Sequence, residues 1–151
     1  RDYVPIGFLD SSTIVNNALF VIPNATPTTF GLLTSKPFNV WNKVVSGRIK
    51  SDTRISNTIT YNNFPFPQLT PDQEREIQIA SLEVLDLRGK YPKSSLADLY
   101  DTDVMPTDLR KAHKRLDAAV LLGFGMKSSA TDEEILTELF MRYADATKGL
   151  I

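Results

Sequence analysis

The pattern of hydrophobic and polar positions changes character near Pro67. Before that residue, β-branched and aromatic residues alternate with Asn, Thr and Ser, which is typical of short strands separated by turns. The stretches with this pattern are "YVPIGF", "STIVNN", "ALFVIP" and "NTITYNNF". One stretch among them, "TFGLLTSKPFNVWNKVVSG", instead has apolar residues at helical spacing. Pro37 opens its second helical piece after Ser35, and Gly47 ends it.

After Pro67, apolar spacing and capping residues predict helices only. Thr70 and Gln73 form a capping box, in which each side chain satisfies a free backbone N–H of the other residue. The further helix starts are Ser95 with Asp98, Pro106, and Thr131 with Glu134. We therefore predict an α+β fold, with a small mixed α/β segment over residues 1–67 and an all-helical domain over residues 68–151.

The composition is that of a soluble protein with one substantial core, or with one domain and a small satellite. The chain has 151 residues, of which 42% are hydrophobic, and no apolar run is long enough to cross a bilayer. It has no Cys, which excludes disulfides, thiolate nucleophiles and Cys-based metal sites. No signal peptide pattern opens it, so we expect a cytoplasmic protein. Because the chain begins with Arg1 rather than Met, we expect it to be a piece of a longer polypeptide.

Charge is distributed unevenly along the chain. Residues 1–70 carry six Lys or Arg against three Asp, whereas residues 71–151 carry eleven cations against fifteen anions. A basic front and an acidic back are expected when only the front meets a polyanion.

The residues offer no constellation for catalysis or metal binding. His113 is the only histidine, and its spacing from Leu109 and Leu116 puts it near the apolar stripe of its helix, as for a packed structural residue. The stretch "GFGMKSSA" lacks the Gly-Lys-Ser/Thr ending of a phosphate loop. We therefore expect no catalytic residue, no metal and no cofactor within this chain.

Charged residues fall at every second position of "SGRIKSDTRIS", residues 46–56. Successive side chains of a strand point to opposite faces, so Arg48, Lys50, Asp52 and Arg54 would share one face of a continuous strand. Two interpretations remain open here. In the first, the row is a solvated face whose charges pair with a neighbouring strand. In the second, its side chains are placed to face another row of hydrogen-bond donors and acceptors.

A longer stretch resembles a known family. "FGLLTSKPFNVWNKVVSGRIKSDTRISNTITYNNFPFP", followed by "SLADLYD", a Met-Pro and "LRKAHKRLDAAV", is similar to the C-terminal region of MmeI-like enzymes. These are large single-chain DNA adenine methyltransferases, and many are fused to a nuclease as restriction-modification enzymes. The resemblance runs over essentially the whole chain, and "RISNTITYNNFPFP" is its most specific part.

The resemblance implies that this chain forms two domains of a larger polypeptide. Residues 1–67 correspond to the end of a target-recognition domain, and residues 68–151 to a C-terminal helical domain. The implied partners are double-stranded DNA and an upstream methyltransferase domain, for which S-adenosylmethionine is the cofactor. The order of Asn63-Phe64-Pro65-Phe66 differs from that of the catalytic motif of adenine methyltransferases, so we interpret these residues as the exit into the helical domain.

The resemblance also implies which residues read DNA. In MmeI-like enzymes, alternate residues of the segment corresponding to "IKSDTRIS" contact base edges, and the matching positions are Lys50 and Asp52, with Arg54 beside them. Lys and Arg donate to O6 and N7 of guanine, whereas Asp accepts from N4 of cytosine, so Lys50 and Asp52 could hold both partners of one G·C pair. The cations at the edge of the row, expected to contact phosphates, are Arg48, Lys43 and Lys36.

Two alternative functions remain open at this point. The specificity subunits of type I restriction enzymes also have a proline-aromatic-proline exit followed by a helix similar to "QLTPDQEREIQIASLEVL", although "RGKYPKSS" interrupts the helix here. The other alternative is a protein-interaction module, in which the acidic helical domain docks a partner and the basic row is incidental. A steep salt dependence of DNA binding would distinguish a DNA reader from such a module.

Overall fold

Regular structure in the protein is almost entirely helical, in a computed structural model that describes residues 2–46, 48–49, 52–53 and 55–150. The elements in chain order are α1 (Pro27–Thr34), α2 (Lys36–Val45), β1 (Arg48–Ile49), β2 (Asp52–Thr53), a π-helix (Asn57–Tyr61), α3 (Pro71–Gly89), α4 (Leu96–Leu99), α5 (Thr107–Gly123) and α6 (Asp132–Thr147). None of these described helices is both long enough and apolar enough to cross a membrane.

The helix starts follow the capping residues that the sequence contains. At α3, the Gln73 N–H donates to Thr70 Oγ1 at 3.2 Å and the Thr70 N–H donates to Gln73 Oε1 at 3.0 Å, so the predicted capping box is confirmed. The boxes predicted at Ser95 and Thr131 are also confirmed. A fourth box, which the sequence analysis did not identify, caps α1 at Thr26, directly before Pro27.

The predicted α+β fold class is wrong, because the front segment contains no strand-rich layer. Residues 2–26 form turns and irregular structure, and within the described residues β1 and β2 are the only strands, each of two residues. The predicted strand "NTITYNNF" is instead the π-helix Asn57–Tyr61. Strand propensity measures how well side chains suit a pleated, half-buried surface, and these segments have no neighbouring strand that would supply one.

Side chains close the π-helix at both ends. Ser56 Oγ accepts from the Ile59 N–H at 3.2 Å, and the Asn62 N–H donates to the Asn57 carbonyl at 2.9 Å, as in a wide helical turn. Asn63 Nδ2 then donates to the carbonyls of Thr58 and Ile59. Ser and Asn side chains thus satisfy backbone groups that a strand would have paired with a neighbour.

One hydrophobic core extends across the boundary expected between residues 67 and 68. Helix α3 packs against α1 and α5, and α2 packs against α5 and α6. Buried side chains on both sides of the boundary contribute to the core: Phe30, Phe38, Trp41, Phe64, Ile77, Val84, Leu109, Leu116, Phe124, Ile135 and Leu139. The front segment, residues 1–67, is therefore joined to the helical part through shared core packing.

Side-chain contacts attach the irregular N-terminal segment to this core. The Tyr3 ring lies 4.8 Å from the His113 ring and 5.6 Å from the Tyr100 ring, measured between centroids. Arg88 donates to the Ile6 carbonyl, and Phe8 lies against Phe30. His113 is fully buried in this region, as expected for a structural histidine.

Candidate nucleic-acid interface

A two-stranded ribbon leaves the C-terminal end of α2. β1 pairs antiparallel with β2, with Arg48 opposite Thr53 and Ile49 opposite Asp52. Arg48 and Asp52 therefore lie on two separate, antiparallel strands. The expectation of one continuous strand that holds both of them is wrong for this reason.

Of the four charged residues predicted to contact DNA in this segment, Arg48 and Asp52 are among the residues that the structure describes. Arg48 lies in β1 and Asp52 in β2, so the pairing of the strands brings these two positions to neighbouring strands. Lys50 and Arg54 lie outside the described residues. Gly47, predicted to end α2, also lies outside them, and the helix ends at Val45 with Ser46 as its C-cap.

The two lysines of α2 lie at opposite ends of the helix. Lys43 is half-buried in the last turn, next to the ribbon, where a cation is favoured by the helix dipole. Lys36 is the first residue of this ten-residue helix, so about 15 Å of helix separates it from the ribbon. The structure thus brings Lys43 to the ribbon and does not bring Lys36 there.

Lys36 has structural partners at its own end of α2. Its Nζ lies 3.1 Å from Asp132 Oδ1 and donates to the Ala130 carbonyl at 3.2 Å, which ties α2 to the start of α6. Its backbone N–H donates to Asp117 Oδ1 at 2.8 Å. Burial raises the pKa of Asp117 to about 6, although the hydrogen bond and the positive charge of Lys36 act to lower it.

A buried hydroxyl joins the two ends of the ribbon segment. Thr60, which is fully buried in the π-helix, has its Oγ1 in hydrogen-bond contact with Ser46 Oγ, and it accepts from the Ser56 N–H at 3.2 Å. Ser46 directly precedes the ribbon segment, residues 47–55, and Ser56 directly follows it. One side chain therefore holds both ends of a nine-residue segment together.

Each hydroxyl has a single proton, which decides the donor and the acceptor in each of these hydrogen bonds. Ser46 Oγ donates to Asn42 Oδ1, which uses its single proton. The Thr60 hydroxyl must then donate to Ser46 Oγ, while Thr60 Oγ1 accepts from the Ser56 N–H. We call the chain Ser56 N–H, Thr60, Ser46 and Asn42 the hydroxyl relay.

Aromatic packing holds the relay against the core. Trp41 Nε1 donates to the Thr60 carbonyl at 3.1 Å, and the Trp41 side chain is 2% exposed, so this bond is shielded from water. Phe64, which follows the π-helix, lies edge-on to Phe38 with ring centroids 5.1 Å apart and also contacts Phe124. The ribbon therefore projects from a base that is buried and hydrogen-bonded.

Sequence reasoning missed the relay entirely. Thr60 falls inside "NTITYNNF", which the alternation of residues assigned to a strand, and nothing local distinguishes its buried hydroxyl from the exposed one of Thr58. The symmetrical positions of Ser46 and Ser56 around the charged row are the one signal that could have indicated a closed segment.

Within the described residues, no group of three or more His, Asp or Glu side chains is arranged to hold a metal ion. The charges near the ribbon are those of the basic front half of the chain, and the helix starts of α3 and α6 carry acidic first turns. The described geometry is thus a ribbon that leaves the end of α2, with the cation Lys43 at its base.

Comparison with known proteins confirms the resemblance that the sequence indicates. The family model described as MmeI, target recognition domain, matches residues 1–68, and the model described as MmeI, C-terminal domain, matches residues 69–151. The chain is 38% identical over 148 residues to DNA methyltransferase A of Bacillus subtilis (strain 168), covering 98% of this chain and 17% of that protein.

A solved structure agrees with these matches. The type IIL restriction-modification enzyme MmeI in complex with DNA superposes with a TM-score of 0.93 at 41% sequence identity, over 97% of this chain and 20% of that one. The chain thus spans a fifth or less of the length of the relatives it matches.

Proposed function

The chain belongs to the MmeI family, and on this premise we propose that it is the DNA-recognition segment of a site-specific DNA adenine methyltransferase or restriction-modification enzyme. The observation that carries the proposal is the ribbon itself. An antiparallel pair of strands, β1 with β2, projects from a buried base in the basic half of the chain. The major groove of B-DNA admits a two-stranded ribbon as well as a helix.

The base-reading residues of this proposal are Lys50, Asp52 and Arg54. A cation donates to guanine O6 and N7, and a carboxylate accepts from cytosine N4, so Lys50 and Asp52 read the two partners of one G·C pair. Asp52 lies in β2, and Lys50 and Arg54 are each two positions away from it in the sequence. A β2 strand that enters the groove carries Asp52 to the base edges.

Phosphate contacts come from Arg48, Lys43 and Lys36 in this proposal. Arg48 is in β1, and Lys43 lies in the last turn of the helix from which the ribbon leaves, so both lie where a groove-bound ribbon passes the DNA backbone. Lys36 requires a further step, since its ion pair with Asp132 must open before it reaches a phosphate.

The rest of the activity belongs to the larger polypeptide. We propose that residues 1–67 form the C-terminal part of its target-recognition domain and that residues 68–151 are a helical domain that supports it structurally. Methyl transfer, with S-adenosylmethionine as cofactor, takes place in an upstream domain of the same cytoplasmic protein. The acidic balance of the helical part supports this division, because it disfavours close approach to phosphates.

The test exchanges the two proposed partners of one base pair. In the full-length enzyme, Lys50→Asp combined with Asp52→Lys should turn a demand for G·C at one site position into a demand for C·G. Each single change should weaken recognition at that position only, since a good base contact provides about 1–3 kcal/mol of discrimination. Sequencing the methylated sites made by each variant gives the result.

Lys43→Gln is the control for this exchange, because a lost phosphate contact weakens binding to all sequences alike. If the double exchange leaves the methylated site unaltered and only lowers activity, the ribbon does not read that base pair. DNA binding that does not respond to salt would instead favour a protein-interaction module.

A further inference from the structure

We propose that Thr60 is a positioning residue for base recognition, acting through the hydroxyl relay that closes the ends of the ribbon segment. This inference rests on the proposed function, because it assigns to Thr60 the placement of the ribbon that reads DNA. Thr60 itself is fully buried and lies in the π-helix, outside the ribbon. It acts on Lys50 and Asp52 only through the backbone that carries them.

The contacts of Thr60 determine where the ribbon starts and ends. Its hydroxyl meets Ser46 Oγ on one side and the Ser56 N–H on the other, so the two ends of residues 47–55 meet at one atom. Its carbonyl accepts from Trp41 Nε1, which ties the same residue to the helix that precedes the ribbon. The relay therefore fixes the ribbon relative to α2 and to the core at once.

Both the donor and the acceptor function of the Thr60 hydroxyl are in use. Replacing Thr60 with Val keeps the shape of the side chain but removes the proton for Ser46 Oγ and the acceptor for the Ser56 N–H. Because Ser46 is buried and Ser56 is partly buried, these bonds would be only partly replaced by water unless the chain ends move. Replacing Thr60 with Ser keeps the hydroxyl, and with it both bonds.

A movement of the ribbon affects the two kinds of DNA contact differently. A base contact depends on the direction and length of a few hydrogen bonds, so a displacement of about 1 Å at the base of the ribbon is enough to weaken it. A phosphate contact is largely Coulombic and tolerates such a displacement. Loss of the relay should therefore reduce discrimination between bases and leave general affinity for DNA intact.

The experiment compares Thr60→Val with Thr60→Ser in the full-length enzyme. The readout is the ratio of kcat/KM for methylation of the recognised site to kcat/KM for a site changed only at the base pair assigned to Lys50 and Asp52. We expect Thr60→Val to lower this ratio about tenfold, equivalent to about 1.4 kcal/mol. Thr60→Ser should keep the ratio within about twofold of the unchanged enzyme. The salt slope of binding to random-sequence DNA should be the same in all three proteins.

Ser46→Ala provides a second variant of the relay, in case Thr60→Val does not fold. It removes the same connection from the other side and should lower the ratio in the same direction. Ile135→Val is the control for stability, because Ile135 is fully buried in α6, away from the ribbon. It should reduce thermal stability and leave the ratio unchanged.

The exchange of Lys50 and Asp52 in the same assay separates the two proposals. If the exchange switches the preferred base pair while Thr60→Val and Ser46→Ala keep full discrimination, the role of Thr60 is wrong and the proposed function stands. If Ile135→Val lowers the ratio as much as Thr60→Val does, the effect is one of stability, and the positioning role is again wrong. If the exchange has no effect on the preferred base pair, the proposed function fails.

Discussion

The hydroxyl of Tyr100 lies 2.7 Å from Nε2 of His113, and both side chains are buried. Arg88 Nε donates to the same hydroxyl, so the Tyr100 oxygen joins Arg88 to the His113 ring. Burial lowers the pKa of His113 to about 3, and the nearby charge of Arg88 adds to the effect. The one histidine of the chain is therefore a structural residue that remains uncharged at neutral pH.

Two ionisable groups, the buried His113 and the partly buried Asp117, should oppose each other in the pH dependence of stability. His113 binds its proton at 6.5 in the unfolded chain but near 3 in the folded one, so acidification between these values lowers the free energy of unfolding. Asp117 has a folded pKa of about 6 and an ordinary pKa of 3.8, so acidification between these values raises the free energy of unfolding. Each slope is at most about 1.4 kcal/mol per pH unit, and the two cancel where they overlap.

The variant Asp117→Asn should make the contribution of His113 to the pH dependence of the free energy of unfolding measurable by itself. The amide oxygen of Asn can still accept from the Lys36 N–H, but the side chain no longer titrates. We expect the free energy of unfolding of this variant to fall more steeply than that of the unchanged protein as the pH drops from about 6 to 3.8. Urea denaturation at several pH values measures both curves. Parallel curves over this range would contradict the opposing roles of the two groups.

The helices could be predicted from the sequence because their signals are local. Thr70 and Gln73 lie three positions apart and bond each other, so the capping box can be read without knowing the rest of the fold. Strands lack this property, since a strand exists only with a partner. The alternation in "NTITYNNF" was compatible with a strand, but the Ser56 and Asn63 side chains bond the local backbone instead and make a π-helix.

The site was predicted less completely, for a similar reason. Resemblance to MmeI-like enzymes pointed to the charged row, but the alternation of charges suggested one strand where the structure has two. The relay depends on Thr60 meeting Ser46, fourteen positions earlier in the chain, and that contact arises only once α2 and the π-helix are packed together. No periodicity or local motif contains this information.

Gly31 lies where α1 packs tightly against α3 and α5. A Cβ atom at this position would lie 2.8 Å from Ile77 Cγ2 and 3.1 Å from Leu116 Cδ1, and it would overlap Ser81 Oγ. Gly31→Ala should therefore lower the free energy of unfolding by about 1–3 kcal/mol, as expected for overpacking. This is the reverse of the gain of about 1 kcal/mol that Ala normally gives over Gly within a helix.

Gly89→Ala is the matched control for Gly31→Ala. Gly89 ends α3, and none of the described atoms outside its immediate neighbourhood lies within 4 Å of a Cβ placed there. This change should be neutral or stabilise the protein by up to about 1 kcal/mol. Thermal unfolding of the two variants gives the comparison, and equal effects would show that helix propensity rather than close packing decides at Gly31.

The two lysines of α2 should respond differently when each is changed to Gln. Lys43 takes part in no ion pair among the described residues and lies beside the ribbon, so Lys43→Gln should weaken binding to all DNA sequences. Loss of one phosphate contact should reduce the slope of log K against log salt by about 0.9. Lys36 must first leave Asp132 and Ala130 to reach a phosphate, so Lys36→Gln should reduce the slope by less than Lys43→Gln does and cost at most about 1 kcal/mol of stability. Salt titrations of the full-length enzyme on random-sequence DNA measure both slopes.

An equal reduction for the two variants would mean that the ion pair of Lys36 opens on DNA and that both lysines contact phosphates equally. No reduction for Lys43→Gln would instead mean that Lys43 is not part of the DNA interface.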